Sequence, residues 1–134
     1  MYSLWELEEF MKLNKTRKLN PQEEKLLEEL IVRSNKNILS TWKSDLIVSS
    51  LDDGGMGSLA LFPGNTINED RHFGSQVSEC QFRDVDGVLV IASLYLDKDD
   101  KLFEMNIWKV DFSKLIKIPS HFENVSFENS NILN

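Results

Sequence analysis

The order of apolar and polar positions divides the chain into a helical part and a strand-rich part. In residues 1–37 the apolar residues recur every three or four positions, the period of an amphipathic helix. A first helix is predicted from the stripe formed by Leu4, Leu7, Phe10 and Met11. A second is predicted to start at Asn20 as the capping residue, with Pro21 at the first helical position and Glu23 completing a capping box. It is expected to end near Ser34 to Asn37, and both stripes are interpreted as facing a core.

From residue 44 onward the period changes to two, and β-branched and aromatic residues become frequent, which is typical of strands. Five strands are predicted, at residues 45–50, 58–62, 77–83, 88–96 and 102–110. The fourth is apolar on both faces, so we expect it to lie inside the sheet. The pattern predicts an α+β fold in which two N-terminal helices pack on a single antiparallel sheet of about five strands.

The 134 residues match the length of a single domain, with a helical part at residues 1–37, a sheet part at 44–118 and a loose tail at about 129–134. The polar loop at residues 63–74 is expected to be either mobile or functional. No apolar run is long enough to span a bilayer. The acidic N-terminus is unlike a signal peptide, and the single cysteine cannot form an internal disulfide, so a cytoplasmic protein is expected.

Two carboxylates and three glycines mark the connection between the first two predicted strands, DDGGMGS at residues 52–58. Because glycine readily adopts a positive φ, Gly54, Gly55 and Gly57 predict a structural turn. Backbone N–H groups in such a turn can also form a small-ligand site. The adjacent Asp52 and Asp53 argue against an anion as that ligand.

The last predicted strand has one face that apolar packing does not explain. Phe103, Met105 and Ile107 are expected on one side, and a second set on the other, namely Glu104, Asn106, Trp108 and Val110. The second face is either a solvated surface with one aromatic residue or a recognition surface for a protein. Trp108 could equally belong to the core. The candidate partner-binding residues are Asp52, Asp53, Glu104, Trp108 and Asp111.

The charge distribution restricts the kind of partner. The net charge is -7, and residues 44–134 hold fifteen acidic residues against seven Lys and Arg. Such an excess repels phosphate backbones, so nucleic acid is not expected as a partner. A membrane is not expected either, since no apolar run could span one. A basic protein, such as a toxin, would be attracted to an acidic surface and would associate faster.

The residues that could carry catalysis or bind a metal occur in weak patterns. Asp84, Asp86 and Gly87 resemble part of a calcium loop, but the closing glutamate is missing and a hairpin turn explains them better. Two histidines in separate loops and one cysteine do not make a zinc site. Cys80 is expected to be a small buried residue. No catalytic residue, metal or cofactor is predicted, and a binding role is favoured over an enzyme.

Three segments carry a resemblance: RKLNPQEEKLLEELI, then DDGGMGSL, then the chain from ECQFRDVDG to VDFSKLIKIP. Over residues 17–119 the chain resembles a bacterial domain-of-unknown-function family. Its members share an Arg-x-Leu-x-Pro-x-Glu start, an Asp-Gly-Gly-Met-Gly-Ser-Leu centre and a Glu-Leu-Asp-x-Trp-Lys-x-Asp-Phe end. The chain departs from this pattern at Met105 and Asn106, where the family has Leu-Asp. The resemblance implies a small stand-alone protein of the kind suspected as an immunity protein in contact-dependent toxin systems.

Two classes of function therefore stay open. The first is a protein-binding module, such as an immunity protein that neutralises a cognate toxin. The second is a small-ligand-binding or regulatory domain that uses the DDGGMGS turn. An enzyme is a third and weaker hypothesis, because no nucleophile, base and orienting group stand in a catalytic spacing.

Overall fold

One long helix and a five-stranded sheet make up the part of the chain that the structure describes. This computed structural model describes residues 15–65, 67–68 and 70–126. The helices are α1 (Pro21–Ser34) and the short α2 (Trp42–Asp45). The strands are β1 (Ile47–Ser50), β2 (Leu59–Phe62), β3 (Phe73–Arg83), β4 (Leu89–Asp97) and β5 (Leu102–Lys109), and a 3-10 turn at Pro63–Asn65 follows β2.

The strand order is β1-β2-β5-β4-β3, and all four pairings are antiparallel. Strand β4 lies between β5 and β3, inside the sheet as predicted, and all but one of its nine residues are buried. The α+β class and the five-stranded antiparallel sheet are confirmed. The helices differ from the prediction, because α1 is the predicted second helix and α2 was not predicted. The predicted first helix and the predicted tail lie outside the described residues.

Helix α1 begins at a cap that the sequence specifies locally. The Asn20 side chain accepts from the Glu23 N–H at 2.8 Å, and the Glu23 carboxylate accepts from the Asn20 N–H at 2.9 Å. Pro21 occupies the first turn. The Arg17 guanidinium holds the same carboxylate through two hydrogen bonds of 2.7 and 2.9 Å. The Arg-x-Leu-x-Pro-x-Glu segment thus fixes the start of the helix.

The hydrophobic core lies between α1 and one face of the sheet. Its helical side consists of Leu26, Leu27 and Leu30, which are fully buried. Every strand adds apolar side chains to this core, among them Val48, Leu59, Leu61, Cys80, Phe82, Val90, Leu94, Met105 and Ile107. We call the opposite face of the sheet, which α1 does not cover, the outer face.

Both edge strands of the sheet are paired once more on their outward side. On β1, Val48 exchanges two backbone hydrogen bonds with Arg17, of 2.9 and 2.7 Å. On β3, Gln81 does the same with Glu123, at 2.8 and 2.9 Å. Each bridge comes from a segment that is not itself a strand.

The structure corrects one predicted strand boundary and the predicted face of one residue, and the strand pairing is irregular at both places. Strand β3 begins at Phe73 instead of residue 77, and its pairing with β4 shifts register twice in this added part. Its exposed, polar first half shows no apolar alternation for a pattern to detect. Phe103 was expected beside Met105 and Ile107, yet a register shift between β4 and β5 leaves it unpaired there. Its ring lies against Phe73, 6.2 Å between centroids, with the aromatic residues of the outer face.

Candidate partner-binding surface

The turn between β1 and β2 is held by one of its own carboxylates. Asp53 accepts from the N–H of Met56 at 3.1 Å and from the N–H of Ser58 at 2.9 Å. All three glycines have a positive φ, of 76°, 85° and 101° in chain order. Residues other than glycine rarely adopt this conformation. Asp53 therefore closes the turn, and its carboxylate is occupied within it.

The same turn packs against the chain that follows β5. The Gly55 carbonyl accepts from the Leu115 N–H at 3.1 Å. A Cβ at Gly55 would lie 2.9 Å from the Lys114 Cγ, and one at Gly57 would lie 3.1 Å from a methyl carbon of Leu115. The glycines thus permit both the backbone conformation and the close approach of the two segments.

Ser58 connects the end of this turn to β5. Its hydroxyl accepts from the Ile107 N–H at 2.8 Å and donates to the Ile107 carbonyl at 3.2 Å. The backbone pairing of β2 with β5 covers only Leu59 and Ala60. The buried serine side chain therefore serves the backbone of β5 just beyond the point where β2 stops pairing with it.

The outer face of β5 carries a mixed set of side chains. Glu104, Asn106 and Trp108 are all partly buried and alternate with the core residues Met105 and Ile107. The indole N–H of Trp108 is buried and has no acceptor among the described residues. This side chain combines apolar packing with an unsatisfied donor, which is a cost in the free protein.

Phe112 lies beside Trp108, with 6.0 Å between the ring centroids. It is 68% exposed and has a φ of 64°, in the left-handed region. Its N–H donates to the Lys109 carbonyl at 2.8 Å, so it ends the turn that follows β5. Phe112 was not predicted as part of the surface, because only the left-handed conformation of this turn brings its ring beside Trp108.

Asp111 precedes Phe112 in the same turn and is exposed. The hydroxyl of Ser113 donates to its carboxylate at 2.6 Å and the N–H of Ser113 at 3.0 Å. These hydrogen bonds hold the pKa of Asp111 below its ordinary value. The carboxylate is therefore ionised and accessible at neutral pH.

The structure brings together some of the five predicted partner-binding residues. Asp52 is exposed on the β1–β2 turn, which contacts the segment just after Asp111 through the Gly55–Leu115 hydrogen bond. Trp108 and Phe112 lie at the same end of β5. Glu104 shares the face of Trp108 but lies four residues earlier, about 13 Å away along an extended strand. Asp53 serves the turn. We call the group formed by Trp108, Asp111 and Phe112 the Trp108–Phe112 surface.

A buried ionic network lies at the end of β5, and it was not predicted from the sequence. The Lys109 ammonium donates to Asp84 at 2.9 Å, to Asp86 at 2.6 Å and to the Lys114 carbonyl at 3.1 Å. The side chains of Lys109 and Asp84 are fully buried. The signal was a lysine that alternates onto the same face as Met105 and Ile107, where a buried charge requires a partner.

Asp84 is the centre of this network. Besides Lys109 it accepts from the backbone N–H groups of Val85 at 2.7 Å, Ile116 at 2.7 Å and Lys117 at 3.0 Å. Burial alone would raise the pKa of this carboxyl, but the hydrogen bonds from Ile116, Lys109 and the other donors together lower it. Asp84 thus anchors the chain after β5, and Asp86 binds Lys109 at the end of that strand, in agreement with a hairpin instead of a calcium loop.

Arg71 is a second charged residue that the sequence analysis missed. Its guanidinium is stacked between the rings of Phe62 and Phe103, 4.4 and 4.6 Å from their centroids. It donates to the carbonyls of Leu61, Leu102 and Phe103, where β2 and β5 no longer pair. Burial lowers the pKa of Arg71. This arginine fills the gap between the two strands, so part of the 63–74 loop is structural.

The residues that could support other chemistry do not form a site in the described chain. Cys80 is fully buried, and burial raises the pKa of its thiol to about 12, so the reactive thiolate is absent at neutral pH. Over residues 15–65, 67–68 and 70–126, no three His, Cys, Asp or Glu side chains are grouped to hold a metal ion. No helix in these ranges is long and apolar enough to span a membrane.

Comparison with known proteins identifies the family of the chain. No curated protein matches it, and no solved structure does. One family model matches, over residues 16–119, which contain α1, all five strands, the glycine turn and the Trp108–Phe112 surface. The chain belongs to the family of the domain of unknown function DUF6984.

Proposed function

We propose that this chain is a protein-binding module that docks a basic protein on the Trp108–Phe112 surface. The biological role we propose is that of a bacterial immunity protein, with a cognate toxin as the basic partner. The family match itself assigns no activity. The proposal rests on the side chains at the end of β5 and on the charge of the chain.

The observation that carries the proposal is the conformation of Phe112. A bulky residue at φ 64° is strained by about 1 kcal/mol or more, and an exposed ring recovers little of this cost by burial. Glycine would occupy the same turn without strain. The strained ring therefore presents an aromatic group beside Trp108, and aromatic residues of this kind are enriched among the residues that dominate binding energy.

Charge supports a basic partner. Asp111 is exposed directly beside Phe112, Asp52 is exposed on the β1–β2 turn, and residues 44–134 carry more than twice as many acidic as basic side chains. Complementary potentials raise the association rate and discriminate against acidic proteins.

The alternative, a small ligand held by the backbone of the DDGGMGS turn, has less support. The N–H groups of Met56 and Ser58, which an anion would need, already donate to Asp53. A ligand at this position would have to displace a carboxylate that is part of the same turn. We therefore favour protein binding.

The test measures binding and stability of the same variants. The probe is the protein that co-purifies with the full chain from its native cell, then prepared pure for titration. Phe112→Gly removes the ring and its strain, so we expect unchanged or higher stability and binding about tenfold weaker or more. Val32→Ser on α1, 72% exposed, is the control and should bind like the unmodified chain. Unchanged binding by Phe112→Gly would contradict the proposal.

Trp108→Ala separates a docking role from a core role. If the indole is mainly a core group, its removal costs about 3 kcal/mol or more of unfolding free energy. Binding lost at nearly unchanged stability supports docking, whereas binding retained in a stable variant removes Trp108 from the surface. Raising the salt concentration should slow association, because the attraction between exposed charges is screened.

A further inference from the structure

A groove of about 540 Å³ lies where the first turn of α1 meets the β3–β4 turn and the chain after β5. This volume is within the range of small-molecule sites. Three cations from three different segments line it, namely Lys25, Arg83 and Lys117. Apolar residues line much of the rest, among them Val85, Ile118 and Pro119, and two polar residues, Gln22 and Ser120, complete the lining.

The sign of the groove is opposite to that of the chain. No Asp or Glu is among its lining residues in the described part of the chain, although the protein carries a net charge of -7. Neighbouring carboxylates are engaged by other cations. Glu23 pairs with Arg17, Glu24 lies 3.9 Å from the Lys43 ammonium, and Asp84 pairs with the buried Lys109. The positive charges at the groove are therefore not neutralised by the acidic residues next to them in sequence.

Two of the three cationic residues are held in place by hydrogen bonds. The Arg83 guanidinium donates to the Gly87 carbonyl at 2.9 Å, which fixes it across the hairpin turn. The Lys117 N–H donates to Asp84 at 3.0 Å, which ties this segment to the buried ionic network. Val85, which lines the same groove, is 67% exposed, so apolar surface is accessible there as well. Such an arrangement suits a ligand with both an anionic and an apolar part.

We propose that this groove binds a small organic anion, a phosphate or carboxylate carried on an apolar body. The cations attract the anionic group, and the apolar residues contact the body of the ligand. The site is separate from the Trp108–Phe112 surface and does not depend on the function proposed for it. The chemistry is shared by phosphate esters and carboxylic acids, so both are tested.

The experiment titrates the full chain with phenyl phosphate, benzoate, inorganic phosphate and neutral benzyl alcohol, followed by amide chemical shifts. We expect phenyl phosphate or benzoate to give saturable shifts at the amides of Arg83, Val85 and Lys117, and the tighter of the two identifies the anionic group. Inorganic phosphate and benzyl alcohol, which each lack one part, should bind more weakly. If inorganic phosphate or benzyl alcohol binds as tightly as the tighter of the two organic anions, the proposal fails.

The variants test the charges directly. Lys25→Gln and Lys117→Gln should each weaken binding about two- to fivefold, as expected for an exposed charge, and the double variant more. The exposed lysines Lys36 and Lys98 lie outside the groove, so the double variant Lys36→Gln/Lys98→Gln is the matched control and should bind normally. An equal effect of both double variants would indicate only nonspecific attraction. If neither organic anion saturates the shifts up to about 10 mM, the proposal also fails.

Discussion

The Lys109 ammonium lies 2.9 Å from the Asp84 carboxylate, and neither side chain is exposed to solvent. The two residues are 25 positions apart, and the pair joins the end of β5 to the β3–β4 turn. Asp84 is satisfied by four donors, three of them backbone N–H groups. Such a pair is costly to break on one side, because the remaining partner stays buried with its charge.

The first prediction concerns this pair. Asp84→Ala should lower the unfolding free energy by about 3–5 kcal/mol, because it leaves the Lys109 charge short of a partner and three N–H groups without an acceptor. Asp86→Ala is the control and should cost less, because Asp86 is 35% exposed in its side chain. Denaturant titration measures both. Lys109→Met added to Asp84→Ala should recover part of the loss, and a further additive loss would contradict the account.

The second prediction is the pH dependence of stability. The pKa of Asp84 is lowered in the folded chain, so its contribution is fully present above the ordinary value of about 4 and is lost as the pH falls through the lowered pKa. The unfolding free energy should therefore decrease below about pH 4, and less steeply in Asp84→Asn. Asp111→Asn is the matched control. The pKa of Asp111 is also lowered, but the group is exposed to solvent, so this variant should change the pH dependence less than Asp84→Asn does. Thermal melts across this pH range would reveal a wrong assignment if the Asp84 variant kept the original slope.

The third prediction distinguishes the glycines of the turn from its exposed carboxylate. Gly57→Val should cost more than about 1 kcal/mol, because valine is strained at φ 101° and its side chain would press on Leu115. Asp52→Asn, an exposed change, should stay within about 0.5 kcal/mol. Urea unfolding of the two variants compares them. Equal losses would mean that the conformation of the turn is not what the glycines provide.

The fourth prediction concerns the serine that serves β5. Ser58→Ala removes an acceptor for the Ile107 N–H and a donor to its carbonyl, both buried, and should cost about 1–3 kcal/mol. Ser113→Ala, at an exposed serine after the same strand, is the control and should cost less. Hydrogen exchange of the Ile107 amide should accelerate in Ser58→Ala alone. Unchanged exchange at Ile107 would show that the hydroxyl does not protect this amide.

Local signals predicted much of the fold. The cap at Asn20 and the capping box with Glu23 identified α1, because both contacts lie within four residues. The apolar run on both faces of β4 placed that strand inside the sheet. The unpaired position of Phe103 was not predictable from alternation, since a bulge changes the face of a residue without changing the sequence pattern.

The candidate site was predicted only in part, for a related reason. Trp108 was identified because strand alternation places it on a polar face. Phe112 and the Asp84–Lys109 pair depend on a turn conformation and on strand register, which bring together residues that the linear pattern separates. Asp53 was predicted as a docking residue, but its two hydrogen bonds within the turn give it a structural role that its neighbour Asp52 does not share.

The bridges at Arg17 and Glu123 have a consequence for self-association. An open strand edge offers backbone donors and acceptors to which a second molecule can add a strand, and repeated addition leads to aggregates. Here Val48 on one edge strand and Gln81 on the other each exchange two backbone hydrogen bonds with a non-strand segment of the same chain. A neighbouring molecule cannot continue the sheet past either point without first displacing that segment. Strand addition is therefore blocked at one point on each edge of the sheet.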